Sequence, residues 1–405
     1  MDNPRISVGG MSFPVPRVSL QPLGLDLLGR AGRRTYSQIV GWGSYAPSRV
    51  LTNFELARTL DTDDDWIRSR TGIGERRIAG PKESTAVMAV RAARAALRAA
   101  DVSPRKVDLV VLATTTPDHP IPASAPMVQD ALGAANAAAF DVNAGCSGFM
   151  YGLALANGLI AVGSHRNALV IGAETLSRIV DWTDRGTCVL FADGAGAVLL
   201  QATDQPTGLL SYNLGSDGFG RDLLKVPAGG SRRPASHETV EHGEHFVRMK
   251  GHELFRSAVD KMAKAAQLAL AEAGLQPGQV ALVIPHQANL RIIHAVAHHL
   301  RMPEDKFFVN IDRYGNTSSA SIPIALAEAI EAGRVKQGDY LLLVAFGAGL
   351  TWGAAVVQWG VPAVVPAVPV WKVLLDSLNV RQRQLQALSR RARGKLDLTR
   401  WLDGL

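Results

Sequence analysis

The sequence predicts an α/β fold in which two similar halves pack as a layered α/β/α/β/α sandwich. The first observation behind this prediction is that runs of Val, Ile and Leu alternate with helix-like stretches, which is typical of sheets covered on both faces. The second is an internal repeat, because the same order of strands, turns and helices occurs twice. The chain therefore looks like two copies of one α/β unit.

Three pairs of strands define the repeat, and the two members of each pair are about 170 residues apart. In chain order the pairs are DLVVLAT (108–114) with ALVIPH (281–286), AAFDVN (138–143) with KFFVNID (306–312), and ALVIGAE (168–174) with YLLLVAF (340–346). After the middle strand of each half, the chain turns through small residues into a new helix. This turn contains Cys146 in the first half and Asn316 in the second. We expect the two turns to face one another, so that a site between them draws on both halves.

The repeat divides the chain into four segments. Residues 37–205 form the N-terminal half, with the candidate nucleophile, and residues 206–360 form the C-terminal half, with the candidate His and Asn. Residues 1–36, rich in Gly, Pro and Arg and without clear periodicity, are an N-terminal extension. Residues 361–405 are a C-terminal extension, in which a Pro-interrupted apolar stretch precedes Leu and Arg residues at the spacing of a basic amphipathic helix.

Positive charge is concentrated in the two extensions. The net charge is +7, of which residues 1–36 carry +3 and residues 361–405 carry +5, so the body between them carries −1. A basic tail can attract anionic partners such as acidic proteins, a membrane surface or nucleic acid. We expect no nucleic-acid partner for this protein. The basic C-terminal helix could lie on a membrane surface, or pack against the protein's own body or a second subunit, and the sequence leaves both interpretations open.

Composition bears on where the protein works. Of its 405 residues, 47% are hydrophobic and 20% are charged, which is normal for a soluble globular protein. No apolar run reaches the ~18 residues of a transmembrane helix, and the first residues lack the pattern of a secretory signal. The two cysteines are too few for a disulfide framework and fit free thiols in a reducing compartment. We therefore expect a cytoplasmic protein.

Cys146 is the candidate nucleophile. In AFDVNAGCSGFMYG a strand ends near Asn143, Gly145 permits a tight turn, and a helix begins at about Ser147. Such an elbow pushes a side chain out of the backbone path, and a helix N-terminus favours the thiolate, which lowers the pKa of the thiol. A buried structural cysteine is the commoner alternative. Cys188, which we expect within a strand, is of that structural kind.

His286 and Asn316 are the candidate partners of Cys146. His286 closes the buried strand ALVIPH, at the carboxyl end where α/β sheets bind ligands, and Asn316 lies at a turn before a helix. Alone, the histidine would be interpreted as structural and the asparagine as a helix cap. With Cys146 they make a recognised thiol-nucleophile constellation. The Gly-rich turn 346–349 can add a backbone N–H directed at a thioester oxygen.

Six motifs occur within residues 37–360, roughly four-fifths of the chain, namely WIRSRTGIGERR (66–77), DVNAGCSGF (141–149), DWTDRGTCVLFADGAGA (181–197), PHQANLR (285–291), GNTSSAS (315–321) and FGAGLTWG (346–353). In this order and spacing, residues 37–360 resemble β-ketoacyl-[acyl-carrier-protein] synthase III, the initiating condensing enzyme of bacterial fatty acid synthesis. That family belongs to the thiolase-fold superfamily. The resemblance implies a five-layered α/β/α/β/α sandwich made of two duplicated halves.

The resemblance also implies roles for individual residues. Cys146 matches the acylated nucleophile, and His286 and Asn316 match the pair that binds the malonyl thioester carbonyl. Ala348 matches a backbone donor that completes an oxyanion hole with the N–H of Cys146. Arg suits phosphate and Trp presents a flat face to a base, and the matching coenzyme A site consists of Trp66, Arg70, Arg185 and Arg291.

The implied reaction is a decarboxylative Claisen condensation that initiates fatty acid synthesis. An acyl-CoA acylates Cys146. Malonyl-acyl carrier protein then loses carbon dioxide, and the resulting enolate attacks the acyl group to give 3-oxoacyl-acyl carrier protein. The expected partners are acyl-CoA, malonyl-acyl carrier protein and a second copy of the chain in a homodimer. We expect no metal and no redox cofactor, because loss of carbon dioxide drives the condensation.

Other reactions of the same fold are alternatives. Elongating condensing enzymes use Cys–His–His, whereas position 316 is Asn, and no Glu stands in a motif matching the base of hydroxymethylglutaryl-CoA synthases. Plant-type polyketide synthases have a different Gly-rich C-terminal signature. A secondary-metabolism, polyketide-type relative that loads an unusual starter, or an acyltransferase acting on an alcohol or amine, stays open. A non-catalytic carrier-protein-binding scaffold is more distant, since the Cys, His and Asn are intact.

Some positions depart from the family pattern. Ile121 matches the residue that lines the acyl pocket from the neighbouring subunit, and a non-aromatic side chain there predicts branched or longer primers than acetyl. Carrier-protein docking is implied for Arg291. His298 and His299 stand where the family often has Lys, and Arg256 could compensate for that lost charge. The family offers no role for either extension.

Overall fold

The computed structural model describes residues 5–8, 11–14 and 35–360. The chain divides into two units, residues 1–34 and 35–405. In the first unit, β1 (Arg5–Val8) and β2 (Met11–Pro14) pair as an antiparallel two-stranded sheet, which the composition of the N-terminal extension does not predict. The amphipathic helix predicted for residues 361–405 lies outside the described residues.

The first half of the second unit is built around a five-stranded sheet with the strand order β3-β9-β8-β6-β7. Strands β4 and β5 pair as a separate antiparallel two-stranded sheet. The elements are β3 (Tyr36–Tyr45), β4 (Arg49–Thr52), α1 (Asn53–Leu56), α2 (Asp64–Thr71), β5 (Glu75–Ile78), α3 (Thr85–Ala99), β6 (Leu109–Ala113), α4 (Ser124–Leu132), β7 (Ala138–Val142), α5 (Gly148–Ala161), β8 (Asn167–Thr175), α6 (Arg185–Cys188) and β9 (Asp193–Thr203).

The second half contains a four-stranded sheet with the strand order β10-β15-β14-β13. The chain passes from the first sheet to the second within residues 204–207. The elements are β10 (Gly208–Ser216), β11 (Leu224–Lys225), α7 (His237–Glu241), β12 (Arg248–Met249), α8 (Gly251–Glu272), β13 (Val280–Pro285), α9 (Leu290–Leu300), α10 (Ile311–Tyr314), α11 (Ser321–Glu331), β14 (Tyr340–Gly347) and β15 (Thr351–Gln358).

These elements form five layers. Helices α3 and α4 cover the outer face of the first sheet, α5 and α11 lie between the sheets, and α8 and α9 cover the outer face of the second. Successive strand residues point into different layers. Leu109 and Val111 of β6 enter the central layer, whereas Val110 and Leu112 enter the layer of α3 and α4. The predicted α/β/α/β/α sandwich is confirmed.

The segment KFFVNID is not the strand that its sequence predicts. Phe307 forms a single bridge to β13, and α10 begins shortly after it. A side chain takes the place of a neighbouring strand here. Gln287 accepts a hydrogen bond from the N–H of Asn310 and donates one to the carbonyl of Phe308. The second sheet therefore lacks the edge strand that β7 provides in the first, and the prediction for this segment was wrong.

Cys188 also differs from its prediction, because it ends the short helix α6 instead of lying within a strand. Asp184 explains the difference. Its carboxylate accepts hydrogen bonds from the N–H of Gly186 and the hydroxyl of Thr187, which caps the helix. The thiol of Cys188 is fully buried, as expected of a structural cysteine.

No helix within residues 35–360 has the length and apolar character needed to cross a membrane.

Candidate active site

The turn that carries Cys146 is shaped by close contact between the two halves. Gly145 has φ +55°, and a Cβ on it would lie 2.6 Å from the backbone nitrogen of Ala348. Glycine is therefore required both for the backbone conformation and for the contact. The hydroxyl of Thr351 donates to the carbonyl of Ala144 at 2.7 Å and ties the same turn to β15. Helix α5 begins two residues after the sulfur, close to where the sequence predicts it.

His286 follows directly after β13. Its backbone N–H donates to the carbonyl of Val344 at 2.8 Å, which extends the pairing of β13 with β14 by one residue. The ring is 2% exposed, and its Nδ1 lies 2.6 Å from the hydroxyl oxygen of Ser321. Burial lowers the pKa of His286 to about 3. The imidazole is therefore neutral at physiological pH, as its apolar setting predicts.

Asn316 is held by hydrogen bonds at both backbone groups and at its amide oxygen. Its N–H donates to the carbonyl of Leu190 at 2.8 Å, and its carbonyl accepts from the N–H of Ala192 at 2.9 Å. The side-chain Oδ1 accepts from the N–H of Ser318 at 2.8 Å. Because the amide oxygen is engaged in this way, the NH₂ group is the donor that Asn316 can offer to a ligand.

Cys146, His286 and Asn316 line one cavity with a volume of about 580 Å³. Residues of both halves therefore meet there, as the repeat predicts. The four predicted coenzyme A residues and Arg256 line the same cavity. The remaining wall is mostly apolar and includes Leu190, Phe191, Leu254, Phe255, Ile292 and Phe346.

The mouth of the cavity is aromatic and basic. The guanidinium carbons of Arg70 and Arg185 lie 5.7 and 4.7 Å from the centre of the Trp66 ring. Arg185 also donates to the carbonyl of Asp61. Arg291, at the start of α9, lies over the ring of Phe255 at 5.8 Å. These flat rings and fixed positive charges suit a ligand that carries both a base and phosphates.

Two family models match the chain. The model of 3-oxoacyl-[acyl-carrier-protein (ACP)] synthase III matches residues 140–218, and the model of its C-terminal part matches residues 270–359. Among curated relatives, the β-ketoacyl-[acyl-carrier-protein] synthase III of Roseiflexus castenholzii is 54% identical over 324 residues, 80% of this chain and 98% of the relative. The chain belongs to the 3-oxoacyl-[acyl-carrier-protein] synthase III family.

Solved structures agree with this family membership. The synthase III of Aquifex aeolicus VF5 is 48% identical and superimposes with a TM-score of 0.74, covering 80% of this chain and 99% of that one. The priming β-ketosynthase of the R1128 polyketide biosynthetic pathway is 37% identical with a TM-score of 0.76, covering 82% and 98%. As a member of the synthase III family, the protein is an acyltransferase of the condensing type, whose reaction initiates fatty acid synthesis.

The protonation state of Cys146 differs from the sequence-based expectation for this synthase. Burial raises the pKa of the thiol to about 12, a contact from the Ser318 hydroxyl lowers it, and the charge of Glu174 raises it further. The predicted lowering by the helix N-terminus was therefore wrong. The loss of hydration at a buried sulfur outweighs the stabilisation available at the start of α5. With its pKa raised in this way, the Cys146 sulfur keeps its proton at neutral pH, and acylation of this sulfur would require that proton to be removed.

Four predicted site residues of this family member do not line the cavity of the single chain. Ala348 lies one residue beyond Gly347, which does line it, and packs on the Cys146 turn. Ile121 is 89% exposed. His298 and His299 are exposed in the last turn of α9. The structure thus brings together the residues predicted for catalysis and for coenzyme A binding, while Ile121 and the two histidines lie on the surface.

Polar residues that contact the proposed triad and its neighbours were not predicted from the sequence. Glu174, at the end of β8, is fully buried and accepts hydrogen bonds from the hydroxyls of Ser318 and Ser319 at 3.0 and 2.9 Å. Ser321 contacts His286. One signal was available, because a carboxylate in the otherwise apolar strand ALVIGAE is unusual and needs partners.

Proposed function

We propose that Cys146, His286 and Asn316 condense an acyl-CoA primer with malonyl-acyl carrier protein, releasing coenzyme A and carbon dioxide and forming 3-oxoacyl-acyl carrier protein. The observation that carries the proposal is that the three side chains, contributed by both halves, line one cavity whose mouth is aromatic and basic. This proposed reaction needs no resident metal or redox group.

The first step is acyl transfer to Cys146. The sulfur attacks the thioester carbonyl of the primer, and coenzyme A leaves. The oxygen that becomes negative is stabilised by the backbone N–H groups of Cys146 and Ala348. The close approach of the Ala348 nitrogen to the Cys146 turn supports this pairing of donors.

The second step is decarboxylation and carbon–carbon bond formation. Asn316 donates through its NH₂ group, and His286 donates through Nε2, to the malonyl thioester oxygen as negative charge develops on it. The hydroxyl of Ser321 supports this tautomer of His286. Its oxygen already accepts from the N–H of Gln287, so its proton can be donated to Nδ1. A histidine with a pKa of about 3 stays a neutral donor throughout the reaction.

The mouth binds coenzyme A and the carrier protein. Trp66 stacks on adenine, and Arg70 and Arg185, which flank its ring, bind phosphate. Arg291 and Arg256 also line the cavity and serve both the nucleotide and the carrier protein. His298 and His299 extend the docking surface along α9, with less positive charge than lysines would give.

The proposal also includes the arrangement of subunits, the location of the protein and the choice of primer. A homodimer would bring Ile121 of one subunit to the acyl pocket of the other, which accounts for the 89% exposure of this apolar side chain in a single chain. Three features stay predictions, namely the boundary between the two halves at residues 205 and 206, the cytoplasmic location, and the membrane contact of residues 361–405. The primer is proposed to be branched or longer than acetyl.

Priming of a polyketide pathway is a second candidate function. It is favoured by the likeness to the R1128 priming β-ketosynthase at 37% identity and a TM-score of 0.76. A panel of acyl-CoA primers, assayed with malonyl-acyl carrier protein of fatty acid or polyketide type, distinguishes the two. Preference for the polyketide carrier protein and an unusual primer would favour the second candidate.

Radiolabelled acyl-CoA tests the nucleophile. We expect covalent label on the Cys146 peptide, no label in Cys146→Ala, and full label in Cys188→Ala, which removes the other buried thiol. Adding malonyl-acyl carrier protein should discharge the label as 3-oxoacyl product. Labelled Cys146→Ala, or label that malonyl-acyl carrier protein does not discharge, would contradict the proposal.

A further inference from the structure

The buried carboxylate of Glu174 has more hydrogen-bond donors than it can use. Oε2 lies within 2.8–3.3 Å of the N–H of Thr115 and the hydroxyls of Thr114, Thr115 and Thr116. Oε1 accepts from the hydroxyls of Ser318 and Ser319. Within residues 35–360, none of its hydrogen-bond donors is a Lys, Arg or His. The carboxyl group is therefore held in the interior by neutral hydrogen-bond donors.

The Ser319 hydroxyl shows that this cluster can also hold a protonated carboxyl. Its oxygen lies 2.9 Å from Glu174 and 2.9 Å from the carbonyl of Ala113. One hydroxyl proton can serve only one of these acceptors. If Glu174 is ionised, Ser319 donates to it. If Glu174 is protonated, it can donate to Ser319, which then donates to Ala113, so both states of Glu174 are hydrogen-bonded.

Ser318 connects Glu174 to the nucleophile. Its hydroxyl donates to Glu174 Oε1 at 3.0 Å, and its interaction with the Cys146 sulfur lowers the pKa of that thiol. The 3₁₀ turn Ser318–Ala320 packs against α5, the helix that follows Cys146. The backbone of Ser318 has φ +51°, a conformation that a non-glycine residue keeps only where its surroundings hold it. Ser318 therefore stands, in a constrained position, between a thiol that must lose a proton and a carboxylate that can take one.

We propose that Ser318 and Glu174 form a proton relay that activates Cys146. As the sulfur attacks the primer thioester, the thiol proton passes to Ser318 Oγ, and the proton of Ser318 passes to Glu174 Oε1. The new S–C bond replaces the bond from the carbonyl carbon to coenzyme A. The coenzyme leaves as a thiolate and takes a proton from water at the mouth. This inference rests on the proposed role of Cys146 and extends it.

The relay runs in reverse during condensation. When the enolate carbon attacks acyl-Cys146, the C–S bond breaks and the electron pair returns to sulfur as a thiolate. Glu174 gives its proton back to Ser318, and Ser318 gives its proton to the sulfur, which restores the thiol and the carboxylate. A neutral Glu174 in the acyl-enzyme also removes a negative charge near the site where the malonyl carboxylate must bind.

Other titratable groups near the relay do not compete with it. His286 lines the same cavity, but its pKa of about 3 makes it a poor proton acceptor. Asp193 on the neighbouring strand β9 accepts from the N–H of Ala79 and from Ser177. Helix α5 contains no charged residue. Burial raises the pKa of Glu174, which moves it towards neutral pH and makes it a better base.

The test is the pH dependence of the first turnover, measured as coenzyme A released per enzyme from acyl-CoA alone. The variants are Glu174→Gln and Ser318→Ala. The Gln substitution fits the cluster, because its oxygen can take the place of Oε2 and its NH₂ group can donate to Ser318 and Ser319. Ser319→Ala is the matched control, since it removes a hydroxyl that donates to the same Oε1, and Ser319 is not among the groups that shift the pKa of Cys146.

We expect both relay variants to release coenzyme A about 100-fold more slowly than wild type at pH 7, the usual size of a general-base effect. Their rates should rise about tenfold per pH unit up to pH 9.5, because hydroxide must now remove the proton. The wild-type rate should level off above the pKa of Glu174. Ser319→Ala should be less than tenfold slower and keep the wild-type form of the profile.

A wild-type pH profile in folded Glu174→Gln and Ser318→Ala, or a loss of the same factor at every pH, would overturn the relay. If Glu174→Gln fails to fold, Ser318→Ala decides alone. The label on Cys146 separates this outcome from failure of the proposed function. If Cys146→Ala remains labelled, the site itself is wrong, whereas unlabelled Cys146→Ala with unaltered relay profiles removes only the relay.

Discussion

The turns that carry Cys146 and Asn316 lie 170 residues apart and share one feature of backbone conformation. In each turn a glycine with positive φ precedes the functional residue, namely Gly145 at +55° and Gly315 at +61°. The residues that follow differ. After Cys146 the chain enters α5, whose first turn is apolar apart from its capping position. After Asn316 it passes through a 3₁₀ turn into α11, and this stretch carries the hydroxyls of Ser318, Ser319 and Ser321.

This difference shows how two copies of one unit divide the chemistry. The hydroxyls of Ser318 and Ser319 in the second copy donate hydrogen bonds to Glu174 in the first half. The hydroxyl of Ser321 lies within hydrogen-bond distance of His286 in its own half. In the proposed reaction, the first copy thus supplies the nucleophile, and the second supplies the side-chain hydrogen-bond donors. The backbone conformation common to both turns places one residue shortly before a helix. The neighbouring hydroxyl groups, which differ between the two turns, determine the hydrogen bonds available around that residue.

The strongest test of this division separates the two half-reactions. His286→Ala and Asn316→Asp should each slow condensation about 10²–10³-fold, the usual cost of removing one donor to a developing oxyanion. Acylation of Cys146 by acyl-CoA should fall less than tenfold, because it uses backbone donors. Release of coenzyme A in the first turnover and formation of 3-oxoacyl product measure the two steps separately. Equal losses of rate in both steps would contradict the proposal that His286 and Asn316 act in condensation and not in acylation.

Substitution of Gly145 gives the next largest effect. Gly145→Ala places a Cβ 2.6 Å from a backbone nitrogen at φ +55°. It should lower the free energy of unfolding by more than about 2 kcal/mol, because the conformation alone costs ~1–2 kcal/mol. Gly158→Ala on α5 is the control. Its Cβ would meet nothing within 4 Å, and it should stabilise the protein by about 0.5–1 kcal/mol. Urea titrations measure both changes, and equal effects would contradict the required contact.

Much of the fold and the triad could be predicted from the sequence, for reasons that particular residues illustrate. Apolar strands such as residues 108–114 are recognisable because both faces are buried. Cys146, His286 and Asn316 could be placed together because the sequence predicts all three at strand-to-helix junctions of a repeated unit. Residues 306–312 were misassigned because backbone groups of Phe308 and Asn310 bond to the side chain of Gln287, about 20 residues away, instead of to a neighbouring strand.

The protonation states were harder to predict, because they depend on burial and on contacts between halves. The apolar surroundings of His286 were visible in its strand, so its neutral state could be expected. The pKa of Cys146 depends on depth below the surface and on Ser318 and Glu174, which are distant in the chain. Local sequence shows the start of a helix, but it does not show how completely a sulfur is removed from water.

The smallest predicted effect is on the pH dependence of stability, to which His286 and Glu174 contribute with opposite signs. The pKa of His286 is about 3 in the folded protein and 6.5 in a model compound, so between these values the unfolded chain binds more protons. Its contribution to stability is therefore complete above pH 6.5 and is lost as the pH falls, by at most about 1.4 kcal/mol per pH unit. Glu174 has the opposite sign, because its raised pKa makes the folded protein bind more protons just above the ordinary pKa of a glutamate.

Urea titrations between pH 5 and 7 on the wild type, His286→Gln and Glu174→Gln test this contrast. Exposed carboxylates contribute equally to all three proteins, so the differences between their curves isolate the two groups. The stability of His286→Gln should fall less steeply with acid than that of the wild type. Glu174→Gln should fall more steeply, since it lacks the group that is stabilised by protonation. Parallel curves for wild type and His286→Gln would mean that the imidazole takes up a proton in the folded state, and His286 could not then be the neutral donor that distinguishes the second half from the first.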